Sequence, residues 1–267
     1  MNKGIRGNFR RGAVVAGLLT ALLGGCATPP TEPAALAEFE QTNDPLEPMN
    51  RYFFEVNRFL DFMFIRPWAD TYRRIVPDFA RERVHNVLRN MGEPLDFANE
   101  MLQGRAEDGG ISVGRLVVNS TVGLGGIFDV ATDIGLPSKE GDFGQTLYSW
   151  GASDGPYLVL PVLGPSNLRD AVGKGVDTAA DPVGWAFSIG DLSMASYGRA
   201  GGEALDKRSE FVDQLDSLEK TSIDFYAQLR SMMRQHRTKE LRGESASAAD
   251  AYPNMDMYSD TKTPVGK

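Results

Sequence analysis

The chain has very little cysteine and histidine. Cys26 is its one thiol, and His85 and His236 are its two imidazoles, in 267 residues. One cysteine excludes an intramolecular disulfide. So small a Cys/His stock excludes the paired spacings of structural zinc sites. A basic surplus is missing too: Asp and Glu total 36 against 28 Lys and Arg, with a pI near 4.9, which argues against nucleic-acid binding. Beyond the first 25 residues no apolar run approaches the roughly 20 residues that cross a bilayer. No strand-like alternation of convincing length appears either. The expected class is therefore mainly α.

What is present begins at the N-terminus. Lys3, Arg6, Arg10 and Arg11 precede an apolar run from Ala13 to Leu23, and no acid occurs before Glu32. A basic segment, a short apolar segment and small residues before a cut site make a secretory signal. Cys26 follows Leu23-Gly24-Gly25, the arrangement at which bacterial lipoproteins are cleaved and acylated. Residues 1–25 are expected to be the signal peptide. The mature chain then starts at a lipidated Cys26, and its formal charge moves from −8 to −12 with the four basic residues gone. Two or more acyl chains anchor stably, at about 0.8 kcal/mol per buried CH2. Ala27 follows Cys26. Asp at that place commonly marks inner-membrane retention, so its absence favours the outer membrane. Residues 26–42 are Pro- and Ala-rich and are expected to be a flexible tether. Residues 43–242 are expected to be the folded part, and residues 243–267, small and polar, a disordered tail.

The first helix has a strong start. Asp44 is suited to the N-cap, Pro45 to the first helical position and Glu47 to the capping box. On a helical wheel Leu46, Met49, Tyr52, Phe53, Val56, Phe59, Leu60, Met63 and Phe64 share one arc. Asn50, Arg51, Glu55, Asn57, Arg58 and Asp61 share the other side, interrupted by Phe54, Phe62 and Ile65. Such an arc suits the core face of a soluble helix. Its aromatic density, continued by Trp68 and Tyr72, also suits a membrane interface.

Further helices are expected over residues 77–90, 93–102, 106–119, 127–134, 143–150, 167–180 and 192–200. A last helical region over 203–241 is expected to bend near Ser217. Residues 155–165 carry Pro156, Pro161 and Pro165 and should be extended.

Two catalytic patterns are weak. Gly151-Ala152-Ser153-Asp154-Gly155 fits a nucleophile elbow, but that motif needs a strand before it and a helix after it. Here a helix is expected before it, and prolines follow. Gly123-Leu124-Gly125-Gly126 lacks the Lys-Ser/Thr of a P-loop, and Phe128 stands where a dinucleotide fingerprint needs its last glycine. Tight packing or a turn accounts for it. Asp129, Asp133, Glu140 and Asp142 read as a solvated acidic face. No enzymatic activity and no cofactor are expected.

Three stretches in order go beyond composition: Asn43-Asp44-Pro45-Leu46-Glu47-Pro48-Met49-Asn50-Arg51; then Asn119-Ser120-Thr121-Val122-Gly123-Leu124-Gly125-Gly126-Ile127-Phe128-Asp129; then Asp142-Phe143-Gly144-Gln145-Thr146-Leu147 with Trp150-Gly151, Gly155 to Pro161, Gly164-Pro165 and Leu168-Arg169-Asp170. Behind a lipobox, they resemble the MlaA (VacJ) family of outer-membrane lipoproteins over about residues 43–237. The resemblance implies a ring of amphipathic helices lying in one leaflet around a central channel. It implies removal of mislocalised phospholipid from the outer leaflet, transfer to a periplasmic lipid-carrier protein, association with a trimeric porin, and no chemistry. The covalent lipid on Cys26 and phospholipid cargo are then the only non-protein groups. In that frame the membrane-facing residues are Leu46, Met49, Phe53, Val56, Phe59, Leu60, Met63 and Phe64. The candidates for the channel or its gate are Asn50, Arg51, Asn57, Arg58, Gly123, Gly125 and Gly126. A porin-docking lipoprotein without transport shares the anchor and the helices. A membrane-bound hydrolase would need Ser153.

Overall fold

The computed structural model describes residues 44–243. Cys26, the signal peptide, the tether and nearly all of the tail lie outside the described residues. The chain divides into two units, Met1–Glu47 and Pro48–Lys267. Of the first, residues 44–47 are described, and there the Glu47 amide donates to the Asp44 carbonyl at 3.1 Å.

The second unit is mainly α. Helix α1 (Glu47–Leu60) runs through a π segment (Asp61–Ile65) directly into α2 (Arg66–Ile75). Then come α3 (Asp78–Leu102), α4 (Ala106–Thr121), the single turn α5 (Val130–Asp133) and α6 (Phe143–Ser149). A hairpin follows, β1 (Tyr157–Leu160) and β2 (Gly164–Asn167), antiparallel with Tyr157 opposite Asn167 and Leu160 opposite Gly164. Five helices complete it: α7 (Leu168–Ala180), α8 (Pro182–Ile189), α9 (Ser193–Glu210), α10 (Val212–Thr221) and α11 (Phe225–Leu241). Side-chain N-caps start several of these: Asp142 accepts from the Gln145 amide, Asn167 from Asp170, Asp181 from Val183 and Asp224 from Ala227. Each satisfies a helix-end donor left free by the helix itself.

Several expected boundaries move. Residues 77–90 and 93–102 are one helix, α3, which carries Pro94 inside it. Glu93 and Asp96, on either side of that proline, are held by Arg115 and Arg89. The helix expected over 127–134 is only the turn Val130–Asp133, because Phe128 N bonds back to Gly123 O and Asp129 provides the N-cap. The extended stretch at 155–165 is a true hairpin. Helix α8 has no counterpart among the expected helices, and the last helical region breaks at Phe211 and again at 222–224 rather than bending at Ser217.

The apolar core is small. Phe54, Tyr157, Val159 and Tyr226 are buried together, with Phe53, Phe225 and Leu229 packed against them. Phe54 meets the Tyr226 ring edge-on at 5.3 Å between centroids. Most fully buried side chains are instead polar: Asn50, Glu93, Asn99, Glu100, Ser112, Arg115 and Thr146. In α3 the buried stripe is Asn90, Glu93, Asp96, Asn99 and Glu100; in α4 it is Gly109, Ser112, Arg115 and Asn119. These are helical spacings whose inward side is hydrophilic, the reverse of a soluble amphipathic helix.

Candidate functional site

The face that this inversion turns outward is the first half of the candidate site. Tyr52, Phe59, Phe62, Phe64 and Trp68 are each more than half exposed, and Met49 and Met63 are exposed beside them. Leu46, Phe53, Val56 and Leu60 are half-buried. Part of the arc read from the sequence, Met49, Tyr52, Phe59, Met63 and Phe64, is thus exposed along α1 and the π segment, while Phe53 packs against the core. The inward side is the interrupted polar one, with Asn50, Phe54, Asn57, Asp61, Ile65 and Ala69 in line. The π segment adds a residue to one turn, which keeps Asp61, Ile65 and Ala69 on the inner side as α2 begins. Phe54, which breaks the polar side in sequence, is the residue that enters the core. The exposed apolar surface continues elsewhere, at Phe79, Val117, Val122 and Leu124 and at Trp185, Ile189, Met194 and Tyr197. A soluble monomer rarely exposes so many large apolar side chains. Among the described residues no helix is long and apolar enough to cross a membrane.

The four polar candidates of α1 are placed differently from expectation. Asn50 is wholly buried. Its amide donates to Tyr157 O and accepts from Val159 N, both at 2.9 Å. Two turns on, Asn57 donates to Leu160 O at 2.9 Å and accepts from Val162 N at 2.7 Å. Spaced seven apart, the two amides act as a third strand, satisfying the free edge of β1. A side-chain amide has one donor and one acceptor side, which is what a strand edge requires. Their polar atoms therefore hold the hairpin rather than a lipid head group, and Asn50 and Asn57 leave the channel candidates.

Arg51 forks onto Asp224 at 2.6 and 3.2 Å and lies over the Tyr226 ring, 4.4 Å from its centroid. Arg58 pairs with Glu219 and Glu55. Both belong to a ladder the sequence reading missed. Arg66 pairs with Asp216, Arg73 with Asp213 at 2.7 Å, and Asp61 with Arg208 at 2.8 Å. As the arginines of α1 and α2 advance from 51 through 58 and 66 to 73, their acidic partners recede from 224 through 219 and 216 to 213, and the Asp61–Arg208 pair stands outside that order. The hydrogen bond from Arg73 holds the Asp213 carboxyl below its usual range, and that from Arg51 does the same for Asp224. The signal was available: arginines about two helical turns apart on the polar side, and a run of acids from Asp213 to Asp224.

The glycine segment closes α4. Gly125 and Gly126 have φ of +75° and +91°, and Leu124 has φ of +54°. Gly126 N donates to Asn119 O at 2.8 Å and Phe128 N to Gly123 O at 3.0 Å. A Cβ on Gly126 would lie 2.7 Å from the Asn90 Cβ, and one on Gly123 would strike the Asn119 and Phe128 carbonyls. Gly125 is exposed with open space around it. The segment is thus seated against α3 at Gly126 and folded back on the end of α4 at Gly123.

Beneath it lies a buried ionic cluster. Arg115 donates to Glu93 at 2.7 Å, to Thr132 Oγ1 at 2.9 Å, to Leu136 O at 2.7 Å and to Asp129 at 3.1 Å. Burial alone would raise Asp129, but hydrogen bonds from Thr132, Asn119 and Arg115 outweigh it and hold the carboxyl at about 2. A second cluster joins α6, α7 and α11, where Arg237 bonds both Asp142 and Asp170. Asp129 and Asp142 are therefore half-buried ion-pair partners, while Asp133 and Glu140 of the expected acidic face are exposed.

The Ser153 pattern has the wrong frame for a nucleophile elbow. Helix α6 precedes it and strand β1 follows, the reverse of the required order. His85 bonds Asp206 at 2.8 Å and His236 pairs with Glu240 at 3.2 Å. Asp154 pairs with Arg169.

Exposed apolar side chains around a polar interior define the class: a mainly helical protein with its usual inside-out order of polarity reversed. The particular family follows from comparison. The MlaA lipoprotein family model matches residues 42–240, and the chain belongs to that family. The intermembrane phospholipid transport system lipoprotein MlaA of Escherichia coli K12 is 32% identical over 218 residues, covering 79% of this chain and 81% of that protein. An uncharacterized protein of Rickettsia felis is 35% identical over 202 residues, 74% of this chain and 76% of its own. A chain solved in work on the structural basis for maintenance of bacterial outer membrane lipid asymmetry superposes with a TM-score of 0.65 at 32% identity, covering 74% of this chain and 99% of that one.

Proposed function

We propose that this protein is an outer-membrane lipoprotein, anchored through acylated Cys26, that withdraws mislocalised phospholipid from the outer leaflet and hands it to a periplasmic carrier. The observation that carries the reading is the inverted helix: apolar side chains outside, hydrogen-bonded polar side chains inside. In water such a surface is unfavourable by about 25 cal/mol per Å² of apolar area. In one leaflet it is the favourable arrangement. The helices lie as a ring around a polar-walled passage, beside a trimeric porin. A polar wall is what a charged head group needs, since crossing an apolar zone without hydrogen-bond partners is costly. Family membership and the similarity to the E. coli phospholipid-transport lipoprotein support the reading. Arg51, Arg58 and Gly125 remain candidates for contact with the passing lipid.

A second reading, a porin-docking lipoprotein without a passage, shares the anchor and the exposed face. Native mass spectrometry of the full-length lipidated protein, released gently from detergent, separates the two. The transport reading expects co-purifying phospholipid, identified by its mass and by organic extraction. Protein free of phospholipid under conditions that preserve its fold refutes it.

A further inference from the structure

Helix α3 and Ile127 line an open feature that neither the ion-pair ladder nor the β1 contact explains. A trough of about 300 Å³ is lined by Val84, Val87 and Leu88 of α3 and by Ile127, with Arg83 at its rim. Apart from Arg83, every lining side chain is aliphatic. Val84 and Ile127 are exposed, and so is Phe128 beside them. The Arg83 guanidinium lies 4.8 Å from the centroid of the Phe128 ring. Its hydrogen bond to Ile127 O is long, at 3.5 Å, and so is its pairing with the exposed neighbour Glu82, also at 3.5 Å. Asn86 donates to the same Ile127 carbonyl at 3.3 Å.

This combination is selective. An apolar trough alone fits any oily group. A guanidinium at its mouth, held in place by an aromatic ring and only loosely engaged with acceptors, adds a fork of donors matched to a phosphate. Arg83 lines the same trough as the aliphatic side chains, so a single lipid can present its phosphodiester to the guanidinium and an acyl chain to the trough. We infer that Arg83 and the trough between α3 and Ile127 form a binding subsite for one glycerophospholipid, with an acyl chain along Val84, Val87 and Ile127 and the phosphodiester on Arg83. The inference rests on the phospholipid-transport reading and names a residue contact within it. Gly126 sets the geometry: its lack of a side chain lets the segment close onto Asn90, and that fixes Ile127 as the far wall.

The test uses the full-length lipidated protein in nanodiscs doped with phosphatidylethanolamine that carries a diazirine midway along one acyl chain. After irradiation, peptide mass spectrometry should place adducts on Val84, Val87 or Ile127. Val87→Trp, which fills the trough from an already half-buried position, should remove those adducts while labelling of the exposed α1 aromatics persists. Arg83→Gln should weaken phospholipid retention about tenfold, the scale of one charge-assisted hydrogen bond, and Arg83→Lys should restore part of it. Neither glycerophosphate nor decanoate alone should compete, because each supplies half of the ligand. Adducts spread over the apolar surface and unchanged by Val87→Trp overturn the subsite. So does retention unchanged in Arg83→Gln. Wild-type protein that carries phospholipid but never labels the trough overturns the subsite and leaves transport standing. Wild-type protein that carries no phospholipid overturns both.

Discussion

Arg115→Met should be among the most destabilising single changes in the chain. Arg115 is 2% exposed and its partner Glu93 is 1% exposed, so neither charge has water to fall back on. The substitution removes the 2.7 Å ion pair and the bonds to Thr132, Leu136 O and Asp129. Breaking a buried pair by deleting one partner costs about 3–5 kcal/mol, mostly because the other charge stays buried. Replacing both members by apolar groups of similar size is often neutral or better. The double variant Arg115→Met with Glu93→Leu should therefore recover much of the loss, which is the sharper expectation. The assay is urea unfolding in mild detergent, followed by tryptophan fluorescence, on wild type, both singles and the double. A loss in Arg115→Met below about 1 kcal/mol would place the pair in the range of exposed ion pairs and refute the reasoning. A double variant no more stable than Arg115→Met would refute it too. Acid offers an independent check. Because Asp129 is held at about 2 against an ordinary 3.8, its contribution is fully present above pH 4 and is lost as pH falls through about 2.

Four further outcomes follow from the same structure. Asn50→Ala and Asn57→Ala should each cost about 1–3 kcal/mol, because each leaves an edge donor and acceptor of the β1 segment without partners; amide exchange at Val159 and Val162 would report the loosening, and unchanged protection would count against the strand-edge role. Gly126→Ala should be clearly worse than Gly125→Ala in thermal unfolding: both bear the roughly 1–2 kcal/mol of left-handed strain, and only Gly126→Ala also pushes on Asn90. Burial raises the Asp96 carboxyl to about 7 against the opposing pull of Arg89, so the folded state holds a proton the unfolded state releases above pH 4; stability should decline as pH rises from about 4 to 7, and Asp96→Asn should flatten that decline. Phe59→Asp with Met63→Asp should release an unacylated protein from liposomes while circular dichroism keeps its helical signal; loss of helix instead would make α1 an ordinary core element.

Much of the fold was legible because periodicity survives inversion. The helices around Met49, Ser112, Gln145, Asp170 and Leu229 are in their expected places. Periodicity defines an arc but not which way it faces. For α3 and α4 the polar side is the buried one, which follows only from the lipid reading. Hairpin β1–β2 was illegible because four residues per strand carry no alternation, and part of its edge pairing comes from side-chain amides on α1. Helix α8 was hidden by Pro182, Gly184 and Gly190, residues that read locally as loop. The π segment has no local signature; it is visible only in the inward line from Asp61 through Ile65 to Ala69. Of the candidate site, the exposed arc needed one helix alone. The polar candidates failed to separate because Asn50, Asn57, Arg51 and Arg58 share a face but have partners more than a hundred residues away.

Outer-leaflet phospholipid content tests the central claim most directly. A Gram-negative host deleted for its own family member, with phospholipid accumulated in its outer leaflet, is given this chain or its Cys26→Ala form, and surface phospholipid is measured by outer-leaflet-selective lipid modification. The account predicts that the intact chain returns the outer leaflet towards its phospholipid-poor state and that Cys26→Ala does so poorly. An intact, acylated chain present in the outer membrane that leaves surface phospholipid unchanged would contradict it.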